Sequence, residues 1–358
     1  MTADATPSGG RILLTIGDPN GVGPEVAVKA SEALRDEPGL QPVLVGDPAV
    51  VRHYAGRAGL RVRETDGTGS PEAGVVDLLP VPCLHPEAFR PGSVHAAAGA
   101  ATVAALTEAV RAVRAGRGRG IVGCPHSEKA VNAAGISFSG YPSLLARLNG
   151  VDPDQVFLML VGGGLRIVHA TLHERLVDAV SRLTPELVES AARAAAGFLA
   201  SAGVTSPRIG LFGINPHAGE DGLFGDEDRR ITVPAAARLC AAGIDAHGPA
   251  GADLLLGDRE QGEGRPRYDA YVAMYHDQGH IPVKLLAGRT ASALSVGAGL
   301  AFSSVGHGTA FDIAGRGVAD PAAVIRAVRL IGSATGSAAP VPVPSHAFAP
   351  LLASEASS

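Results

Sequence analysis

The chain has no tryptophan, and all its aromatic residues together make up only 4% of 358 positions. A surface that reads bases or sugars by ring stacking is therefore not expected. Cysteine is scarce: Cys83, Cys124 and Cys240 lie far apart and form no CxxC pair. That argues against a disulfide framework or a thiolate zinc site and suits a reducing cytoplasm. Basic residues number 30 against 35 acidic ones, a net charge of −5 with no basic block, so no nucleic-acid partner is expected. The most apolar long stretch, residues 156–172, is broken by Gly162-Gly163-Gly164 and Arg166 and cannot span a bilayer. The opening residues lack the basic-then-apolar order of a signal peptide. A soluble cytoplasmic protein with no membrane partner is the expectation.

What the chain does have is apolar mass and turns. Hydrophobic residues reach 46%, with 47 glycines and 26 prolines, which fits a loop-rich α/β protein long enough for two domains. Short β-type runs alternate with alanine-rich helical runs. Strands are expected at 11–16, 42–46, 120–123, 208–213, 270–274 and 291–296. A hairpin through the triple glycine should join 156–160 to 165–170. Helices are expected at 26–34, 96–115, 125–134, 184–202 and 321–331, the fourth opened by Thr184 as a cap. Residues 63–80 and the tail after 332 read as loose.

Histidine carries most of the chemical signal. His173, His217 and His276 each follow a strand-like run, and the last two sit inside the turns Asn215-Pro-His-Ala-Gly-Glu220 and Tyr275-His-Asp-Gln-Gly-His280. Ligands of α/β sheets bind beyond strand carboxyl ends. Three neutral imidazoles there would leave one position open on a divalent ion. A structural role for any single one of them is the competing reading. Lys284, behind Ile281-Pro282-Val283, suits proton transfer if desolvated. Asp253, in an apolar run, reads as a helix cap or a functional carboxylate. The turn Gly17-Asp-Pro-Asn-Gly-Val-Gly-Pro-Glu25 and the segment His307-Gly-Thr-Ala-Phe-Asp-Ile-Ala-Gly-Arg-Gly-Val-Ala-Asp-Pro321 are rich in backbone amides, the second suited to an adenosine. Neither is a G-x-G-x-x-G fingerprint.

Those four motifs, in order over residues 11–331, resemble the 4-hydroxythreonine-4-phosphate dehydrogenase (PdxA) family. The resemblance implies a two-domain α/β fold of the isocitrate/isopropylmalate dehydrogenase kind, with mainly parallel sheets and an interdomain cleft. Residues 1–125 with 297–358 would form one domain, and residues 126–296 the other. It implies a homodimer that uses a divalent metal (Zn, Mn, Mg or Co) and NAD or NADP. The metal ligands would be His173, His217 and His276. Lys284 and Asp253 would be catalytic. His307, Gly308, Thr309, Ala310 and Asp320 would hold the cofactor, and Tyr141, Pro142 and Asn20 would line the substrate pocket.

The chain departs from the family where phosphate is gripped. A His-Thr pair of the family is replaced by Tyr141-Pro142 after Phe138-Ser-Gly140, and Pro-x-(His/Asn)-Lys by Pro125-His126-Ser127-Glu128. The family's asparagine falls near Ala293. Its arginine falls near Phe302 or Ser303, and no arginine lies between Arg289 and Arg316. Losing those groups removes charge-assisted hydrogen bonds. The expected activity is therefore NAD(P)+-linked oxidation of a secondary alcohol beside a carboxylated carbon, with decarboxylation, on an unphosphorylated hydroxy acid. A carboxylated cis-dihydrodiol of the terephthalate type, the phosphorylated pyridoxine-pathway substrate, and a non-catalytic metal- or nucleotide-binding homologue are the alternatives.

Overall fold

A computed structural model describes residues 10–66, 71–258, 265–288 and 291–334 of the chain. It divides into two compact units. The first comprises residues up to Val151 together with His307–Gly332, and the second comprises Asp152–Gly306. These boundaries differ from the 125/126 and 296/297 expected from the sequence. Residues 126–151 pack with the first unit because helix Ala96–Arg114 meets helix Glu128–Ala133 at Gly99, where an added Cβ would lie 2.2 Å from the Ala130 backbone.

The first unit is a parallel sheet of β1 (Arg11–Thr15), β2 (Gln41–Gly46), β3 (Arg61–Glu64), β4 (Val75–Pro80) and β5 (Gly120–Gly123), in the order β3-β4-β2-β1-β5. Ile12, Leu13 and Leu14 are all buried, as a parallel strand covered by helices on both faces requires. The chain leaves β1 toward β2 on one side and returns to its other side as β5, so the order reverses between β1 and β5. Strands β3 and β4 occupy part of the stretch read as loose. Arg63 on β3 pairs with Asp77 on β4 at 2.6 Å, a cross-strand contact that makes a polar edge strand viable. The tail beyond residue 334 lies outside the described residues.

The second unit holds β6 (Phe157–Gly162), β7 (Leu165–His169), β8 (Arg208–Phe212), β9 (Asp245–Ala250), β10 (Ala270–Ala273), β11 (Ser292–Val296) and β12 (Phe302–Val305). The order is β12-β11-β6-β7-β10-β8-β9, antiparallel through the β6–β7 hairpin and parallel from β7 onward. The hairpin turns at Gly163 (φ 59°) and Gly164 (φ 80°), two successive left-handed residues as the tightest hairpins require. Leu160, Ile167, Phe212 and Tyr271 form the core beneath. Helix Pro185–Ser201 is capped by Thr184, whose Oγ1 accepts from the Leu187 amide at 3.2 Å. Phe302 is 1% exposed, a core residue.

Candidate functional site

In the second unit, β7 and β10 run side by side with His169 opposite Ala273. Just past those carboxyl ends come His173 and His276, whose ring centroids are 5.5 Å apart. Both line a cleft of about 580 Å³, together with Leu172, Glu174, Arg175 and Tyr275. His276 opens helix His276–Ala287. On that helix His276, His280 and Lys284 recur every four residues and so share one face. The His276 and His280 rings stack at 3.7 Å and 13°.

The hydrogen bonds fix where the protons lie. The Leu158 carbonyl can only accept, so His169 Nδ1 donates to it at 3.1 Å and leaves Nε2 as an acceptor. His280 Nδ1 then donates to His169 Nε2 at 3.0 Å and to the His276 carbonyl at 3.2 Å. His276 Nδ1 donates to Asp277 Oδ1 at 2.6 Å, which leaves Nε2 as the nitrogen free to face a ligand. Burial pushes His169 down to about 3, helped by the neighbouring His280. His280 falls to about 4, again chiefly through burial. Neutral rings are the form that ligates cations. Gly279 makes the contact possible, because a Cβ there would lie 2.4 Å from His169 Nε2.

His217 lies elsewhere in this unit, exposed, with its ring 6.3 Å from that of Phe224. Residues His217 to Asp221 are all left-handed, with φ of 53°, 54°, 89°, 42° and 54°. Four of the five carry side chains, at a cost of about 1–2 kcal/mol each. Asp228 holds the turn's entry by accepting from the Ile214 and Asn215 amides at 2.8 and 2.9 Å. Strain kept in place this way is a mark of function. Among the described residues no three His, Cys, Asp or Glu side chains are placed to hold an ion; of the sequence trio, His173 and His276 come together. Asp253 is exposed, second in helix Ala252–Gly257, and the cap position belongs to Gly251. Lys284 is half-buried and reaches within 3.0 Å of the space a Gly306 side chain would need.

In the first unit the two glycine-rich motifs form one cradle. The Val22 amide donates to the Thr309 carbonyl at 2.9 Å, and Gly21 leaves 2.9 Å between a would-be Cβ and Thr309. Buried Glu25 accepts from the Gly317 and Ala319 amides at 3.1 and 2.8 Å and from Lys29 at 2.8 Å. Lys29 in turn donates to the Gly317 and Ala319 carbonyls. His307 and Gly308 are exposed, Thr309 is buried, and Ala310 is left-handed at φ 41°. Asp320 accepts from the Ala322 amide at 2.9 Å, a capping contact at helix Ala322–Ala334.

Two of the three expected pocket residues turn inward. Asn20 is fully buried: its Nδ2 donates to the Ala88 carbonyl and its Oδ1 accepts from the Arg90 amide. Tyr141 is buried and donates to the Cys124 carbonyl at 3.3 Å, its ring 4.4 Å from that of His126. Pro142 is half-buried in the first turn of helix Tyr141–Asn149. His169, His280, Glu25 and Lys29 join these sites in addition to the residues expected there. The four-residue recurrence at 276, 280 and 284 was the available signal for His280, and the i, i+4 Glu–Lys spacing for Glu25 and Lys29; His169 carried no local signal.

A polar cleft at parallel strand ends in one unit and an amide-rich cradle in the other are the two candidate binding sites of this α/β enzyme. The comparisons with known proteins agree. Residues 39–331 match the model of the pyridoxal phosphate biosynthetic protein PdxA. The chain belongs to the PdxA family. It is 46% identical over 332 residues to a 1,2-dihydroxy-3,5-cyclohexadiene-1,4-dicarboxylate dehydrogenase of Comamonas sp., covering 91% of this chain and 98% of that one. It is 39% identical over 339 residues to a 4-hydroxythreonine-4-phosphate dehydrogenase of Methylorubrum populi, covering 92% and 95%. Among solved structures, a terephthalate 1,2-cis-dihydrodiol dehydrogenase from Burkholderia xenovorans shares 51% identity at a TM-score of 0.70, covering 90% of this chain and 97% of that one. The protein is a dehydrogenase acting on CH–OH.

Proposed function

We propose that the protein oxidises the carbinol of an unphosphorylated, carboxylated cis-dihydrodiol, using NAD(P)+ and a divalent ion, with loss of carbon dioxide from the product. The observation that carries this reading is the pairing of Tyr141 with His126. Where the family resemblance leads one to expect phosphate-gripping side chains, the chain has a buried tyrosine tied to the Cys124 carbonyl and an imidazole that burial holds down to about 4. An uncharged ring and a phenol cannot balance a phosphate dianion. The identity to dihydrodiol dehydrogenases over nearly the whole chain supports the same substrate class.

The donor set fits a divalent ion in part. His173 and His276 are close, and the Asp277 bond engages His276 Nδ1 and leaves Nε2 as its ligating nitrogen. The third donor we assign is His217, which the single chain does not bring to them. We read the assembly as a homodimer in which a second copy supplies it, consistent with Leu254, Ile281 and Leu285 being more than 60% exposed on helices of this unit. When bound, the ion would polarise the substrate oxygen. Asp277 fixes the His276 tautomer, and the His169–His280 pair sets the ring stacked on it. Lys284 Nζ, on the same helix face, would hold a charge or pass a proton, and the glycine-rich cradle would hold a dinucleotide, which when bound supplies the hydride acceptor. Three thiols and no CxxC suit a cytoplasmic setting.

The test is reduction of NAD(P)+ by metal-loaded protein offered a carboxylated cis-dihydrodiol and, separately, 4-phosphohydroxythreonine. A kcat/KM at least about a hundredfold higher for the diol is expected. Parity would show that the pocket still reads phosphate. Sedimentation at low micromolar concentration should give a dimer of the 36.1 kDa chain.

A further inference from the structure

The strand order of the first unit reverses between β1 and β5, and a ligand of an open α/β sheet binds in the crevice beyond the carboxyl ends at that point. Two buried polar atoms on the loops that leave those two strands have no hydrogen-bond partner: Asp18 Oδ2, after β1, and His126 Nε2, after β5. Fewer than about one buried polar group in ten is left so in folded proteins. The loops touch. The Asp18 amide donates to the Pro125 carbonyl at 2.9 Å. Gly17, left-handed at φ 70°, admits no side chain because a Cβ would lie 2.1 Å from the same oxygen.

Both side chains are held in place. Asp18 is fully buried and its Oδ1 accepts from the Asn20 amide at 2.9 Å. The His126 ring packs edge-on against Phe138 and Tyr141, at 4.9 and 4.4 Å between centroids. Burial raises Asp18 to about 6 and lowers His126 to about 4. No lysine or arginine among the described residues pairs with Asp18. The two loops therefore offer an acceptor oxygen and an imidazole that burial keeps uncharged. An anion would meet a carboxylate at neutral pH with nothing to balance it. A pair of neighbouring hydroxyls meets no such penalty, since each can donate or accept.

We propose that the crevice beyond β1 and β5 is a diol subsite, where Asp18 Oδ2 accepts from one hydroxyl and His126 Nε2 donates to the next. Two molecules in the reaction carry that chemistry, the ring diol of the substrate and a ribose of the dinucleotide. The inference rests on the dehydrogenase reading only for this choice of ligands.

The test is calorimetric titration of the full chain and of its Asp18→Asn and His126→Phe variants. The second variant keeps the ring packing against Phe138 and Tyr141. Each protein is offered NAD+, a dinucleotide lacking both hydroxyls of one ribose, a carboxylated cis-dihydrodiol, and its mono-hydroxy analogue. A loss of one hydrogen bond to a partly charged acceptor should weaken one diol ligand about tenfold or more and leave its deoxygenated analogue within twofold. If NAD+ is the one weakened, the source is the ribose; if the dihydrodiol, it is the substrate. Equal weakening of diol and deoxy forms, or no weakening of either diol in either variant, overturns the proposal. Should Asp18→Asn fail to fold, His126→Phe decides alone. If no diol reduces NAD+ yet Asp18→Asn weakens dinucleotide binding, the substrate reading fails and the subsite stands.

Discussion

In the second unit the chemistry rides on side chains. His276, His280 and Lys284 recur along one helix face, His169 and His173 come from the next strand end, and each proton's place follows from a neighbour. In the first unit the same need for order is met by backbone. Glycines at 17, 21 and 23 approach other chain segments closer than any side chain allows, and one buried carboxylate gathers two amides of a distant loop. The contrast teaches where each region should be vulnerable. A side-chain cluster fails one function at a time, whereas a backbone cradle fails as a fold.

The largest expected effect breaks the first half of that contrast. His276→Ala should lower kcat/KM by at least about a thousandfold and remove bound metal while the melting temperature shifts little. Atomic absorption on the purified variant checks it, and full metal occupancy would take His276 out of the site. Glu25→Ala addresses the second half. It leaves two amides without their acceptor and Lys29 with carbonyl partners alone, so a loss of about 2–4 kcal/mol in urea unfolding is expected. A loss under about 1 kcal/mol would mean the cradle stands without its carboxylate.

Gly279→Ala sharpens the comparison, since it puts a methyl against the His169 ring. It should cost about 1–3 kcal/mol of stability and also depress kcat through the stacked His276 ring; stability lost with kcat unchanged would separate the pair from the chemistry.

The pH dependence follows from His169 and His280, whose folded values of about 3 and about 4 lie below the unfolded value of about 6.5. Between those limits the unfolded chain binds protons that the folded one refuses. Stability is thus complete above about pH 6.5, falls as pH drops toward 4, and levels off near 3. Thermal melts in chelator over that range should show it, and His280→Phe should flatten the slope. A slope as steep as the parent's would assign the effect to other groups. Tyr141→Phe is the smallest, about 1 kcal/mol for the bond to the Cys124 carbonyl, read by the same urea titration.

Much of this was legible in the chain, for reasons that differ by region. The runs at 11–15, 120–123 and 208–212 are continuous and apolar, as covered parallel strands must be, and so the α/β class could be read directly. His173 and His276 announced themselves by following such runs. Strands β3 and β4 stayed hidden because their sequences look polar, and the Arg63–Asp77 pair that supports them spans 14 residues. The His169–His280 bond spans 111 residues, beyond any local pattern. Asn20 looked available in a turn, yet the loop at Ala88 to Gly92 folds over it. Asp253 looked like a cap, yet the helix begins at Ala252, two residues before a cap at 253 would let it start.

The central claim is that this dehydrogenase acts on a carboxylated diol and not on a phosphorylated amino acid. The ratio of kcat/KM for a terephthalate-type cis-dihydrodiol to that for 4-phosphohydroxythreonine, measured on one metal-loaded preparation, tests it most directly. The residues at 126 and 141 predict a ratio above about a hundred. A ratio at or below one would contradict the account.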